Sequence, residues 1–286
     1  MWDAALAEDL RDELAEATDE LEGRIGDDKI WISKHGLSGL HGCETHHLAS
    51  EGTFHWTVQN VRGTIAHKAI ELSIHWNGEI YPRNLVDESI ARTANSDKGV
   101  GLFIQGLAEA DLAELRGECT DLVSKFAESF PPLKAAWWPV TESRSQYDLA
   151  GGHIVLSGKV DLTLGRHNGM DPTKVIIDLK SGSPRVNHRD DLRFYALLET
   201  LKMGVPPRKL ATYYLDMARA QPEEVTEPLL RAALARTIDG VHKAVELREG
   251  RPPTTQPGPP CHWCPVAQDC PVGLAFLAGD ADRDDY

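Results

Sequence analysis

Four cysteines do more than any other feature to limit how this chain can fold. Cys261-x-x-Cys264 and Cys270 put three thiols within ten positions, set among Pro260, Pro265 and Pro271. Cys43, in Gly42-Cys43-Glu44, supplies a fourth from about 220 residues earlier. The fifth, Cys119, falls in a stretch of helical periodicity and reads as a buried thiol. Cysteines so few and so unevenly spaced do not make the disulfide framework of a small secreted domain. Clustered, they point to metal. On chemistry alone four thiolates suit zinc or an iron–sulfur cluster, and His41, His46, His47 and His262 offer imidazoles in place of a thiolate. Either group would tie an N-terminal segment to a C-terminal one across a loop that is otherwise entropically costly to close.

Charge excludes one class of function. The 286 residues carry 44 acids against 30 bases, a formal −14, so bulk charge cannot coat nucleic acid. The excess is local: residues 1–28 hold a net −9 and the last seven a net −3, which leaves −2 for the body and room for a basic groove. Met1-Trp2-Asp3 lacks the basic and apolar opening of a signal peptide, and no apolar stretch is long enough to span a bilayer. The expectation is a cytoplasmic protein with no membrane partner.

Three segments follow from composition: an acidic amphipathic helix within 1–28, a core over 29–250, and a Pro-rich connector, cysteine cluster and acidic tail over 251–286. Leu6, Leu10, Leu14, Ala17 and Leu21 recur at helical spacing through residues 2–24, as for a helix packed by one stripe, a partner-binding arm or an acidic competitor for a basic groove. VRGTIAHKAIELSIHW over 61–76 predicts a helix with His67 beside its apolar face, and a longer helix is expected from Val100 to Phe130, stopped by Pro131-Pro132. Trp138–Leu149 and His153–Leu164 read as strands joined at Gly151-Gly152, KVIIDL over 174–179 as a buried strand and LATYYLD over 210–216 as another. Helices are expected over 189–203 and 227–248, and PPTTQPGPP over 252–260 as an extended connector. No internal repeat is present. The sum is an α/β chain whose helices flank a largely antiparallel sheet.

Chemistry concentrates in residues 158–182. Gly158-Lys159-Val160-Asp161 is followed by Val175-Ile176-Ile177-Asp178-Leu179-Lys180-Ser181-Gly182, so two aspartates and a lysine stand at the ends of strands. Strand alternation points Asp178 and Lys180 to one side and Leu179 to the core. If the preceding strand pairs alongside, Asp161 approaches Asp178, and two carboxylates brought together ask for a cation; hard oxygen ligands suit Mg²⁺ or Mn²⁺. Lys180 would then offset charge developing on a phosphodiester or orient the attacking water. Gly152 to Lys159 is no P-loop, since the glycine spacing fails and Val160 stands where a hydroxyl is needed.

Gly63-x-x-x-His67, Glu142, Gly158-x-x-Asp161, Asp178-Leu179-Lys180 and a following helix with Tyr195 together resemble the ordered motifs of PD-(D/E)xK nucleases of the RecB-like branch, over roughly residues 30–275. That branch includes the iron–sulfur exonucleases of CRISPR adaptation and the nuclease domains of recombination helicases. The resemblance implies a restriction-endonuclease-like core with a mixed central sheet, and an iron–sulfur cluster joining the N- and C-terminal segments. It implies that Asp161, Asp178, His67 and the Leu179 carbonyl ligate Mg²⁺ or Mn²⁺, that Lys180 is the catalytic lysine, and that Glu142 and Tyr195 belong to the site. It also implies that Cys43, Cys261, Cys264 and Cys270 hold a [4Fe–4S] cluster, with zinc the alternative.

The family's Gln-x-x-x-Tyr is here Asp191 to Tyr195, and an aspartate cannot donate the amide hydrogen bonds of glutamine. Arg185, Arg189 and Arg193 stand near enough to meet phosphates. The function expected is hydrolysis of DNA, from single-stranded ends, in repair, defence or CRISPR adaptation, beside an integrase or a recombination complex. The alternative is a catalytically silent DNA-binding or scaffolding module that retains fold and cluster.

Overall fold

The leucine stripe holds the acidic N-terminus down. In the computed structural model Leu6, Leu10, Leu14 and Leu21 are buried, the first three on helix α1 (Ala4–Asp19), while Glu8, Asp12, Glu13 and Glu16 face water. Helix α1 ends earlier than the 2–24 periodicity suggests, and Leu21 is carried by the turn that follows.

Next come β1 (Ile30–Ile32), α2 (Lys34–Leu40) and α3 (Glu44–Ala49), then four helices, α4 (Val58–Ile74), α5 (Pro82–Ala94), α6 (Gly99–Gln105) and α7 (Glu109–Ser129). Strands β2 (Val140–Leu149), β3 (Ile154–Leu164) and β4 (Val175–Lys180) precede α8 (Asn187–Met203). Strands β5 (Lys209–Tyr214) and β6 (Arg219–Glu224), then α9 (Glu227–Arg248) and α10 (Pro271–Asp284), complete the order. The structure describes residues 4–284 except 27, 77, 97–98, 167–168, 170 and 186, without the side chains of 4 and 280–284. Met1-Trp2-Asp3 and the charges of the acidic tail lie outside the described residues. No helix among the described residues is long and apolar enough to cross a membrane.

By contact the chain divides into two units, one of residues 1–4, 55–145 and 159–226, the other of 5–54, 146–158 and 227–286.

The first unit carries the later half of the sheet. Leu162–Leu164 of β3 pair antiparallel with Val175–Ile177, β4 runs parallel to β5, and β5 antiparallel to β6. The sheet is therefore mixed rather than largely antiparallel. The connection from β4 to β5 runs through a whole helix, α8, and a helical crossover returns the chain in the same direction where a tight turn cannot. On one face Ile177, Leu179 and Tyr213 pack with Ala66 and Ile70 of α4 and Leu122 and Phe126 of α7. The other face receives α8, so β4 is buried on both sides, which is why it reads as a continuous apolar run. A second cluster joins Val61, Ile65 and Ala69 of α4 to Leu85 and Val86 of α5 and Leu115 and Cys119 of α7.

The helix expected from Val100 to Phe130 is two helices. Gly106 closes α6 onto the carbonyls of Leu102 and Phe103, Leu107 packs on the apolar cluster, and Ala108 turns to an extended backbone before Glu109 and Asp111 open α7. Helix α7 ends just before the predicted Pro131. Strand β6 was not legible: Arg-Ala-Gln-Pro-Glu-Glu has no apolar alternation, and Pro222 is tolerated because the strand lies at the end of the order.

In the second unit β1 pairs parallel with Ile154–Leu156 of β3. His242 on α9 meets the Ala17 carbonyl at 2.8 Å, and Arg231 of α9 pairs with both Glu13 and Asp9, so polar contacts and ion pairs tie the acidic helix to α9. Gly240 lets α2 approach α9, since a Cβ there would stand 2.3 Å from a Leu37 methyl.

Candidate metal centre and active site

Three groups meet in the first unit. His67 lies on α4, whose first turn is capped by the Thr57 hydroxyl accepting from the Asn60 amide. Gly63, one turn earlier, is small because a Cβ there would stand 2.9 Å from the Ser181 hydroxyl, so α4 passes tightly against the end of β4. Asp161 comes from β3, with Oδ1 3.5 Å from His67 Nδ1. Glu142 comes from β2 with a left-handed backbone, φ 54°, of the kind by which a bulge re-aims a side chain inside a strand. His67, Glu142 and Asp161 offer one nitrogen and two carboxylate oxygens within 4.8 Å of one another, all half-buried.

That donor set fits a hard divalent cation such as Mn²⁺ or Mg²⁺, with imidazole the softer member. Burial pulls the His67 pKa down, but the charge and hydrogen bond of Asp161, then the charges of Asp178 and Glu142, raise it above its ordinary value. The pocket is thus strongly anionic, and a proton or a metal ion answers the same charge. Lys159 pairs with Glu142 at its rim.

Asp178, Leu179 and Lys180 complete the arrangement. Asp161 Oδ2 accepts from the Leu179 amide at 2.8 Å, which continues the β3–β4 register and fixes the carboxylate. A strand residue sends its N–H and C=O to the same neighbour, so the Leu179 carbonyl also faces β3. Its side chain is in the core, as alternation predicts. Asp178 is fully buried and is not among the three clustered donors; its Oδ2 lies 2.9 Å from Lys180 Nζ. Lys180 also lies 3.2 Å from Asp191 Oδ2 on α8 and is thereby held between two buried carboxylates.

Tyr195 is buried, and its hydroxyl donates to the Lys159 carbonyl at 2.7 Å, which fixes β3 two residues before Asp161. Burial, then the charges of Asp178 and Asp161, push its pKa up, so the phenol stays a donor. Arg189 and Arg193 pair with Glu223 of β6 at 2.7 and 2.6 Å, whereas the side chain of Arg185 is exposed. Sequence reasoning passed over Lys159, although it shares strand parity with Asp161, and missed Asp191 as a partner of Lys180.

Four of the five cysteines belong to the second unit. Cys43, Cys261, Cys264 and Cys270 are half-buried and line one small cavity with Thr45, Val266 and Gly273. Backbone amides reach two of the sulfurs, Gly258 to Cys261 at 3.5 Å and Gly273 to Cys270 at 3.3 Å. A clamp brings Cys43 to the others: buried Glu44 takes both Arg251 terminal nitrogens, at 3.0 and 2.8 Å, and the Thr254 amide at 2.8 Å. The hydrogen bond from Arg251 chiefly holds the Glu44 carboxyl down to about 2, against burial. Cys119 is buried in the first unit, and burial raises its thiol pKa to about 12.

The model of the PD-(D/E)XK nuclease superfamily matches residues 32–271. Sixteen chains of solved structures are similar. One, titled "Crystal structure of SSO0001", is 17% identical with a TM-score of 0.35, covering 73% of this chain and 95% of that one. No curated protein matches the chain.

Proposed function

We propose, on the premise that the chain belongs to the PD-(D/E)XK nuclease superfamily, that it is a Mg²⁺- or Mn²⁺-dependent DNA nuclease of the RecB-like branch that trims single-stranded ends. Members of the superfamily typically hydrolyse phosphodiesters and usually use these ions. The observation that carries the reading is the meeting of His67, Glu142 and Asp161 within 4.8 Å, beside a lysine held by two buried carboxylates.

His67, Glu142 and Asp161 would hold the cation, with the Leu179 carbonyl facing the same edge and Asp178 adding buried negative charge. A cation held there would supply Lewis-acid polarisation of the phosphodiester and activation of the attacking water. Lys180 would stand beside the phosphate and offset the charge that develops on its oxygens. Asp178 and Asp191 hold that ammonium in place. Tyr195 acts at one remove, by anchoring the backbone of β3. The setting in repair, defence or CRISPR adaptation, beside an integrase or recombination complex, rests on the sequence resemblance.

For the cysteines we propose a structural [4Fe–4S] cluster. Cys43, Cys261, Cys264 and Cys270 line one small cavity of the second unit, four thiols from the two ends of the chain. Four thiolates suit an iron–sulfur cluster, and the backbone amides on Cys261 and Cys270 suit its thiolates.

Digestion of 5′- and 3′-labelled single- and double-stranded DNA with Mn²⁺, against EDTA, tests the first proposal. Shortening of single-stranded ends only with Mn²⁺ is expected; digestion indifferent to EDTA, or none, overturns it. Iron and acid-labile sulfide analysis after anaerobic purification tests the second, and stoichiometric zinc without iron overturns it.

A further inference from the structure

Two adjacent tryptophans stand in water just before β2. Trp138 is 51% and Trp137 37% exposed, and Val140 beside them is 49% exposed. Each ring has a cation over it: the Arg166 guanidinium carbon lies 3.9 Å from the Trp138 ring centroid, and Lys134 Nζ lies 5.8 Å from that of Trp137. The arrangement is held by the backbone. The Gly165 amide donates to the Trp137 carbonyl at 2.6 Å, which joins the residues before β2 to those after β3. Trp138 itself has φ 49°, a conformation that a bulky side chain adopts when its surroundings impose it.

The same two strands lead to the carboxylates. Trp138 precedes Glu142 by four residues, and Arg166 follows Asp161 by five. The Thr163 hydroxyl, donating to the Val140 carbonyl at 3.4 Å, keeps the two strands in register between them. The rings and the carboxylates are thus carried by the same two strands, a few residues apart in each.

We infer that Trp137 and Trp138, with Arg166 and Lys134, form a stacking platform that holds unpaired bases of a DNA strand while its phosphodiester lies at the carboxylates. This rests on the nuclease reading and gives that site a substrate form. Flat π-faces backed by cations match a chain that alternates bases with phosphates, and base–aromatic stacking tolerates any sequence. A duplex keeps its bases stacked on one another and offers these rings none.

Fluorescence anisotropy of labelled oligo(dT) in EDTA, which stops cleavage, tests the platform with wild type, the double variant Trp137→Ala/Trp138→Ala, and Trp138→Phe. The double variant is expected to bind about tenfold more weakly or worse, and Trp138→Phe within about threefold of wild type, because a ring remains. On an abasic strand of equal length, where there is nothing to stack, the wild type and double variant should bind alike. Equal binding of oligo(dT) by the double variant overturns the inference, as does an equal loss on the abasic strand, which would mean that folding or phosphate contact had been damaged. If the wild type digests DNA and the double variant binds normally, the platform alone fails. If the wild type neither binds nor digests DNA, the nuclease reading fails with it.

Discussion

Asp191 Oδ2 lies 3.2 Å from Lys180 Nζ, with Asp191 buried on α8 one turn before Tyr195. Its side chain thus places a second carboxylate on the lysine, beside that of Asp178. Asp191→Asn keeps the shape and removes the charge, leaving Lys180 to Asp178 alone. Cleavage of labelled single-stranded DNA at saturating Mn²⁺ should slow by about tenfold, with little change in substrate affinity. An unchanged rate would mean that Asp178 suffices to hold the ammonium.

Lys180→Ala removes the positive charge itself. The rate should fall by about 10²- to 10³-fold, the range seen when one transition-state donor is deleted. Lys180→Arg should recover little, because a planar guanidinium cannot take the place of a compact ammonium between two buried carboxylates. Single-turnover rates of the two variants check this.

Acid should weaken the first unit through Asp216. Burial raises the pKa of this carboxyl, but Arg62 and the Gly182 amide outweigh it and hold it below the ordinary value. A folded pKa below the unfolded one means that the contribution is complete above the ordinary range and is lost as pH falls through the depressed value. Melting curves should therefore show Asp216→Asn with a shallower loss of stability than wild type below about pH 4.

Glu44→Ala would leave Arg251 to Glu246 and the Thr254 amide without its acceptor. Stability should fall by about 2 kcal/mol or more, since a buried charge-assisted contact is broken from one side. Because the clamp brings Cys43 to the C-terminal cysteines, iron retained per chain after gel filtration should fall in step. Full iron occupancy in the variant would show that the thiolates assemble without it.

Much of this site was legible because its parts obey local rules. Asp178, Leu179 and Lys180 sit on one strand, where alternation alone assigns their faces, and Lys180 is indeed 2.9 Å from Asp178. Asp161 was expected to approach Asp178; its carboxylate instead accepts from the Leu179 amide and groups with His67 and Glu142. The grouping of Glu142 with His67 and Asp161, rather than Asp178, depends on a left-handed residue inside β2 that no periodicity encodes. The parallel pairing of β4 with β5 depends on where α8 returns the chain. Helices α2, α3 and α5 and strand β6 were missed because they are short, weakly periodic or dominated by charge, and tertiary contacts rather than pattern define them.

The most direct test is Mn²⁺ binding followed by electron paramagnetic resonance, in parallel with cleavage of end-labelled single-stranded DNA, for wild type and Asp161→Asn. The variant keeps an oxygen for the Leu179 amide and loses the charge that meets His67. Binding and digestion by the wild type, with both lost together in the variant, are predicted. A variant that binds Mn²⁺ and digests DNA like the wild type would contradict the assignment of these residues as the catalytic centre.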